Sequence, residues 1–340
     1  MKTNQIYSRA TRLILLIASL LVINQSCSDQ VGISSGGGRE GEVVVVLNEM
    51  FEKGEAGKVI DQYLCDSYLL LPQHEPLFKL YVIPWNAFTN TFKGFRNIIK
   101  VDINPKYTES NAKMQQNKNQ TVISLTAPNS DEFVTLFHKH SRQIVEALTL
   151  SEKQFALHQI KKGENKNLEV FIANKHDVNV VIPKGYEIRK DTTDFCWLSL
   201  ETNELSLGYI IYHYPYTDKN TFTPEYLIHK RDSLLERYIK GPLYPTKMSY
   251  MQTMREPVAP LFKEFTIDNE YATELNGLWN ITEDYMAGPF LSVTRLDKER
   301  NRVVTVEGYV YHPSEKKRKY MRWFNAMLSE FRFPTKTSED

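Results

Sequence analysis

Residues 277–324 read GLWNITEDYMAGPFLSVTRLDKERNRVVTVEGYVYHPSEKKRKYMRWF, and this stretch decides the fold class. It contains two strand-like runs, at residues 289–296 and 302–311, which a charged turn separates. In the second run apolar side chains recur at every other position, which is the period of a β-strand. Residues 315–331 then carry apolar side chains at helical spacing. The stretch therefore predicts an antiparallel hairpin followed by a helix.

The pattern upstream of this stretch changes near Asp177. Before that residue, strand-like runs alternate with segments of helical periodicity, and after it short strands and turns dominate. The run VVVVL at residues 43–47 is expected of a strand covered on both faces. The predicted fold class is therefore α+β, with mixed and antiparallel sheets and flanking helices. The predicted strands cover residues 43–47, 78–83, 98–103, 121–125, 178–182, 195–200, 207–214, 249–254, 260–267, 272–281, 289–296 and 302–311. The predicted helices cover residues 51–64, 131–148, 151–162, 165–175, 224–239 and 315–331. Residues 106–119 are expected to be a loop or a frayed helix.

The predicted domain organisation follows the same change of pattern. Residues 42–176 form an N-terminal half of α/β character, and residues 177–333 form a C-terminal antiparallel α+β half. A single unit that combines the two halves is an open alternative. Residues 334–340 are predicted to be a disordered tail.

The N-terminus is typical of a secretory signal peptide. Residues 1–12 carry three basic side chains and no acid, and residues 13–23 are an uninterrupted run of small and apolar residues. Eleven positions are too few to span a bilayer, which needs about 20. Cys27 follows a small residue and resembles the lipobox cysteine of bacterial lipoproteins. That resemblance implies cleavage after residue 26 and lipidation of Cys27, the alternative being a plain cleaved signal with an incidental cysteine.

The segment after Cys27 is expected to be a flexible tether over residues 27–41, because glycine and serine dominate it. Removal of residues 1–26 leaves 39 basic and 41 acidic side chains, a net charge of −2. This balance argues against nucleic acid as a partner, since nucleic-acid-binding proteins usually carry a basic surface. We expect the partners to be the membrane, through the N-terminal lipid, and an envelope protein or glycan.

Two cysteines remain besides the lipidated one. Cys65 and Cys196 would lie in an oxidising compartment, where a disulfide between them would persist. Each lies in an apolar sequence context, so two buried free thiols are the favoured alternative.

Catalytic and metal-binding motifs are absent from the sequence. It has no G-x-S-x-G, H-E-x-x-H, phosphate-loop or paired C-x-x-C pattern. His138 and His140 are two positions apart on a predicted helix, so their side chains diverge and cannot share a metal ion. No cofactor, metal site or catalytic residue is predicted.

The strand at residues 303–311 carries the candidate ligand surface. One of its faces holds alternating valines and is expected to be core. The other face combines aromatic side chains with a carboxylate. We expect this face to be covered by the final helix or half solvated. The alternative is that it lines a groove for a polar, sugar-like ligand. The candidate residues of this surface are Glu274, Trp279, Asp284, Glu307, Tyr309 and Tyr311.

A basic run begins the final predicted helix. It consists of Lys316, Lys317, Arg318 and Lys319. These charges oppose the helix dipole, which favours acidic residues at a helix N-terminus. The run is expected to be a solvated face, with contact to anionic lipid head groups as the alternative.

Several short motifs resemble a family of Bacteroidota lipoproteins known only as a domain of unknown function. The resemblance rests on residues 41–46, 182–186, 194–198, 277–279, 288–290, 307–313 and 317–322, and Leu275-Asn276 departs from the Thr-Arg expected there. It implies a lipoprotein with an α+β fold and adds no catalytic residue.

The predicted function is that of a lipid-anchored protein of the cell envelope, placed in the outer membrane and facing the periplasm. Its body is expected to be a non-catalytic binding or scaffolding module. The alternative is a periplasmic glycan or lipid hydrolase that uses Glu274, Asp284 and Glu307. That chemistry needs two carboxyl groups roughly 5 to 10 Å apart across a cleft.

Overall fold

The computed structural model of the protein describes residues 36–68, 70–117, 119–313 and 315–334. Within these ranges the chain forms a five-stranded and an eight-stranded β-sheet with helices packed on them, which confirms the predicted α+β class. The predicted signal peptide, Cys27 and residues 335–340 of the predicted tail lie outside the described residues. None of the described helices is long and apolar enough to cross a membrane.

The five-stranded sheet comes from the N-terminal half of the chain. Its strands are β1 (Glu42–Val46), β2 (Lys79–Ile83), β3 (Asn97–Ile103), β4 (Asn111–Asn117) and β5 (Gln120–Ala127), in the order β2-β1-β3-β5-β4. All neighbouring pairs are parallel except β4 and β5, which are antiparallel. Every residue of β1 is buried, as expected of a strand covered on both faces.

Five helices follow the strands of this half. They are α1 (Glu49–Glu52), α2 (Glu55–Leu64), α3 (Asn90–Lys93), α4 (Ser130–Lys162) and α5 (Lys166–His176). The helix predicted over residues 51–64 is two helices, and those predicted over residues 131–148 and 151–162 are the single helix α4. No glycine or proline separates the two predicted segments, so nothing in the backbone ends the first one.

Strand β4 replaces the loop or frayed helix expected over residues 106–119. It is an edge strand, paired only with β5 among the described strands. Six of its seven side chains are exposed, and five of its residues are polar, with only Ala112 and Met114 apolar. Hydrophobic periodicity therefore did not predict this strand at the edge of the sheet.

The eight-stranded sheet comes from the C-terminal half, and all its strand pairs are antiparallel. Its strands are β6 (Glu187–Asp191), β7 (Phe195–Glu201), β8 (Ser206–Pro215), β9 (Met251–Met254), β10 (Leu261–Ile267), β11 (Glu270–Ile281), β12 (Ala287–Asp297) and β13 (Arg302–Tyr311), in the order β10-β11-β12-β13-β8-β7-β6, with β9 paired to β11. The strand predicted over residues 178–182 is absent. That segment makes only an isolated bridge from Asn179 to Arg332.

Each face of this sheet is covered by different helices. Helix α7 (Arg318–Leu328) packs against the face that carries Val304 and Val306, and helix α6 (Pro224–Tyr238) covers the face that carries Glu307 and Tyr309. Gly308 lets α7 approach, since a Cβ atom there would lie 2.0 Å from the Phe324 ring. The expectation that the final helix covers the Glu307 face is therefore wrong.

The carboxylate of Glu152, in α4, joins segments that are remote in sequence. It accepts hydrogen bonds from the Gly41 backbone N–H at 2.5 Å, from Arg96 Nε at 3.0 Å and Nη2 at 2.8 Å, and from Asn97 Nδ2 at 2.6 Å. Arg322 Nη1, on α7, lies 3.4 Å from its second oxygen. Because Glu152 is 1% exposed, these contacts form in a low-dielectric interior.

The end of the predicted tether is part of the folded body. Residues 36–41 were expected to be flexible, but the Gly37 N–H donates to the Gly94 carbonyl and the Gly37 carbonyl accepts from the Arg96 N–H, both at 2.8 Å. Gly41 adopts a φ of +77° beside the Arg322 guanidinium, a conformation that favours glycine. Residues 36–41 therefore belong to the folded body, together with β1.

We expect Glu152→Ala to lower the free energy of unfolding by about 3 to 5 kcal/mol, because it leaves two buried guanidinium groups without their carboxylate. Urea unfolding of the full chain measures the effect. Glu146→Ala is the matched control, since it removes an exposed acid of the same helix and should change stability by less than about 0.5 kcal/mol. Equal effects of the two substitutions would contradict the central role of Glu152.

Candidate functional site

An aromatic pocket of about 410 Å³ opens beside the eight-stranded sheet. Its walls include Trp197 from β7, Trp279 from β11, and Tyr309 and Tyr311 from β13. We call this the aromatic pocket. Its volume lies within the range of about 300 to 1,000 Å³ that is usual for small-molecule sites.

The pocket wall is held by contacts among its own aromatic rings. Trp197 Nε1 donates a hydrogen bond to Tyr309 Oη at 3.0 Å, and the rings of Trp279 and Tyr309 meet edge to face with centroids 5.3 Å apart. Gly208 makes room for the Tyr309 ring, because a Cβ atom there would lie 1.8 Å from it. Burial raises the pKa of Tyr309 above its ordinary value.

Carboxylates lie at the mouth of the aromatic pocket. Glu201 and Glu204, at the end of β7 and in the turn that follows, line it and are exposed. The Glu201 carboxylate accepts a hydrogen bond from Ser206 Oγ at 2.8 Å. Apolar rings beside carboxylate acceptors fit a ligand that presents both C–H surfaces and hydroxyl groups. Sequence reasoning missed these two acids because the turn carries no pattern that distinguishes it.

Three of the six predicted surface residues line this pocket, namely Trp279, Tyr309 and Tyr311. Glu307 does not, although it shares their sheet face. Its carboxylate accepts from Arg231 Nε at 2.8 Å and Nη2 at 2.7 Å, beneath α6, and it is fully buried. The Arg231 guanidinium also stacks 3.8 Å from the centre of the Phe290 ring. Glu307 is therefore an ion-pair partner in the core, so it is not part of a ligand surface.

The other two predicted carboxylates lie elsewhere. Strand register places Glu274 beside Val293 and Val306, and Glu307 beside Ser292, so the two acids lie on opposite faces of the sheet. Burial raises the pKa of Glu274. Asp284 lies in the turn after β11, where it accepts the Met286 N–H at 2.9 Å. The hydrolase alternative thus lacks the facing pair of carboxylates that it requires.

The basic run at residues 316–319 is only partly exposed. Glu75, remote in sequence, accepts the backbone N–H groups of Lys317 at 2.6 Å and Arg318 at 3.1 Å. Lys317 is buried, and the Arg318 guanidinium donates to the Pro76 carbonyl. Glu75 thus supplies the negative charge that the N-terminus of α7 favours. Neither Lys317 nor Arg318 is free for lipid head groups, whereas Lys316 and Lys319 are exposed.

The two cysteines in the described part of the chain are both free. Cys196 is buried in β7, and burial raises the pKa of its thiol to about 12. Cys65, which follows α2, is only half-buried, and burial raises its pKa as well. The structure therefore favours the free thiols over the alternative disulfide.

One cluster contains side chains of the types that bind metal ions. Donor atoms of His176, Asp191 and Cys196 lie within 4.8 Å of one another. His176 Nε2 and Asp191 Oδ1 are already hydrogen-bonded at 2.9 Å, and Lys175 Nζ pairs with the second Asp191 oxygen. These contacts of Asp191 with His176 and Lys175 link α5 to β6.

The free thiols should differ in reactivity. In a Cys27→Ser background, we expect Cys65 to react with a neutral disulfide reagent about tenfold faster or more than Cys196, because thiolate fraction and access set the rate. Adding Cys65→Ser or Cys196→Ser isolates each thiol, and reaction in urea provides the unfolded reference. Equal native rates would contradict the burial of Cys196.

Comparisons with known proteins find two family models and a few weak structural likenesses. The model described as a domain of unknown function, DUF8532, matches residues 36–181, and that of a second such domain, DUF4837, matches residues 165–330. A comparison with curated proteins finds no match.

Solved structures with some likeness include the Ran-binding protein Mog1p of Saccharomyces cerevisiae, with 11% identity and a TM-score of 0.31 over 46% of this chain and 90% of that one. A protein of unknown function from Pseudomonas aeruginosa has 12% identity and a TM-score of 0.26 over 46% of this chain and 92% of that one. Both TM-scores are too low to argue for a shared fold or function. The chain therefore matches two family models of unknown function, which confirms the resemblance to an uncharacterised family, while the assignment to Bacteroidota lipoproteins stays a prediction.

Proposed function

We propose that the protein is a lipid-anchored component of the cell envelope whose folded body is a non-catalytic binding module. The observation that carries the binding function is the aromatic pocket, where two tryptophans and two tyrosines adjoin two exposed carboxylates. Glu274 and Glu307 lie on opposite faces of the sheet and Asp284 lies in a turn, and this separation favours binding over hydrolysis.

The ligand class follows from the chemistry of the pocket. Aromatic rings pack against the C–H faces of sugar rings, while Glu201 and Glu204 accept hydrogen bonds from hydroxyl groups. Both acids are exposed, so they can accept these hydrogen bonds without a large desolvation cost. We therefore propose an envelope glycan, or a glycan-bearing partner, as the ligand.

The anchor in this proposal is Cys27. It follows an apolar run that is too short to span a bilayer and a small residue at the cleavage position. One acyl chain binds a membrane only weakly, whereas several chains anchor a protein stably, each buried methylene contributing about 0.8 kcal/mol. The proposed location is the outer membrane, with the body facing the periplasm.

We expect soluble peptidoglycan fragments or chito-oligosaccharides to quench the fluorescence of Trp197 and Trp279. Substituting phenylalanine for Trp85 and Trp323, the other two tryptophans, leaves only the pocket signal. Tyr311→Ala should weaken binding about tenfold, since an aromatic contact contributes about 0.5 to 1.5 kcal/mol. Glu201→Gln should weaken it as well.

The control for this titration is Tyr285→Ala, which removes a fully exposed tyrosine that does not line the pocket. It should leave the affinity unchanged. Absence of quenching by every glycan, or equal losses in Tyr311→Ala and Tyr285→Ala, would exclude the aromatic pocket as the glycan site.

The anchor has a separate test. Cells that express the full chain with labelled palmitate should incorporate label into the protein, and Cys27→Ser should abolish incorporation because the lipidated thiol is gone. Cys65→Ser should retain the label, which controls for acylation at another cysteine. Label that persists on the Cys27→Ser protein would refute lipidation at this residue.

A further inference from the structure

A second cavity, of about 480 Å³, lies between helix α4 and the five-stranded sheet. Gln154, His158 and Lys162 line it from one face of α4, where residues four apart lie above one another. Asn117 and Gln120 line it from the β4–β5 hairpin. We call this the amide cavity, and none of its lining residues is acidic.

Arg96 forms part of the wall of the amide cavity and is 3% exposed. Its Nε and Nη2 donate to Glu152, and its guanidinium stacks 3.7 Å from the centre of the Phe155 ring, which also lines the cavity. Its remaining nitrogen, Nη1, has no hydrogen-bond partner in the described part of the chain. A buried donor without an acceptor is costly, because it loses its hydrogen bonds to water.

The charge around Arg96 is not fully balanced. Glu152 is shared between Arg96 and Arg322, so a single carboxylate faces two guanidinium groups. Glu40 forms no ion pair with either guanidinium within the described ranges, and its carboxylate accepts from Trp323 Nε1 at 3.2 Å instead. Lys162 adds an exposed cation at the cavity. An anion is therefore the kind of ligand that this environment favours.

We propose that the amide cavity binds the phosphate or carboxylate group of a small, hydroxyl-bearing ligand. Arg96 Nη1 and Lys162 would donate to the oxyanion, since bonds between charged partners are about twice as strong as neutral ones. The amides of Gln154 and Asn117 would serve the hydroxyl groups, because each amide both donates and accepts. Gln120 would offer only its oxygen, since its Nε2 already donates to the Lys93 and Phe95 carbonyls. The proposal is independent of the aromatic pocket, with which this cavity shares no lining residue.

The test is calorimetric titration of the purified full chain with glucose 6-phosphate, glucuronate, inorganic phosphate and glucose. We expect at least one anionic probe to bind and glucose not to bind, and added salt to weaken the binding by screening the charges. Stronger binding of glucose 6-phosphate than of glucuronate would assign a phosphate ligand, and the reverse a carboxylate. Binding of inorganic phosphate as tight as that of the sugar phosphate would remove the role of the amides and overturn the proposal for a hydroxyl-bearing ligand.

Variants connect the binding to the cavity. Lys162→Gln should raise the dissociation constant about tenfold, and Gln154→Leu should also raise it. Lys139→Gln, which removes an exposed lysine from the other end of α4, should leave it unchanged. Both cavity substitutions are outside the Glu152 network, so the variants should fold, which circular dichroism verifies.

The proposal is overturned if no anionic probe binds, or if Lys162→Gln and Gln154→Leu bind as the parent does. Neither result bears on glycan binding in the aromatic pocket, since Tyr311→Ala and the tryptophan signal report on that pocket alone.

Discussion

The buried carboxylate of Glu152 is the interaction on which the rest of the structure depends. It lies on α4, which among the described helices is the one that contributes buried side chains to the cores of both sheets. Glu152 binds the chain before β1, the start of β3 and the final helix at once. A buried charge is tolerable only when its partners are complete, so these segments must all be in place together. The residues just before β1 and the last helix are therefore coupled through a single side chain, although they are nearly 300 residues apart in the chain.

The alternation of strand β13 divides the C-terminal sheet into two environments. Its valines lie beneath α7, while Glu307 and Tyr309 lie on the side of α6. Along that second face, the side chains under α6 are sealed from solvent, and those beyond its end form the aromatic pocket. Glu307 is part of the core because Arg231 neutralises its carboxylate and donates two hydrogen bonds to it. Tyr309 and Trp279 are also buried and support the wall of the pocket, which leaves the partly exposed Tyr311 and Trp197 to contact a ligand.

The partners of the charged residues do not follow from the sequence. Lys317 and Arg318 opposed the helix dipole, and their explanation is Glu75, which caps the helix from about 240 residues away. Glu307 and Glu274 were expected on one surface, yet register separates them by the thickness of the sheet. Tyr309 and Tyr311 share a face of β13 because side chains alternate along any strand, and the Trp279 ring contacts both of them from β11. Nothing in the sequence indicated a role for Arg96, since the missing partner of its Nη1 atom is a property of the packed interior.

The sequence by itself determined the α+β class, the antiparallel C-terminal strands with their following helix, and the aromatic face of β13, since local periodicity encodes all three. It did not determine the unbroken length of α4, the edge strand β4 or the ordering of residues 36–41, which depend on neighbours that are distant in the chain. Only the tertiary structure decided which charges are paired and which adjoin a cavity. The physical reason is that a local pattern records whether a side chain is polar, whereas its partner is set by long-range packing.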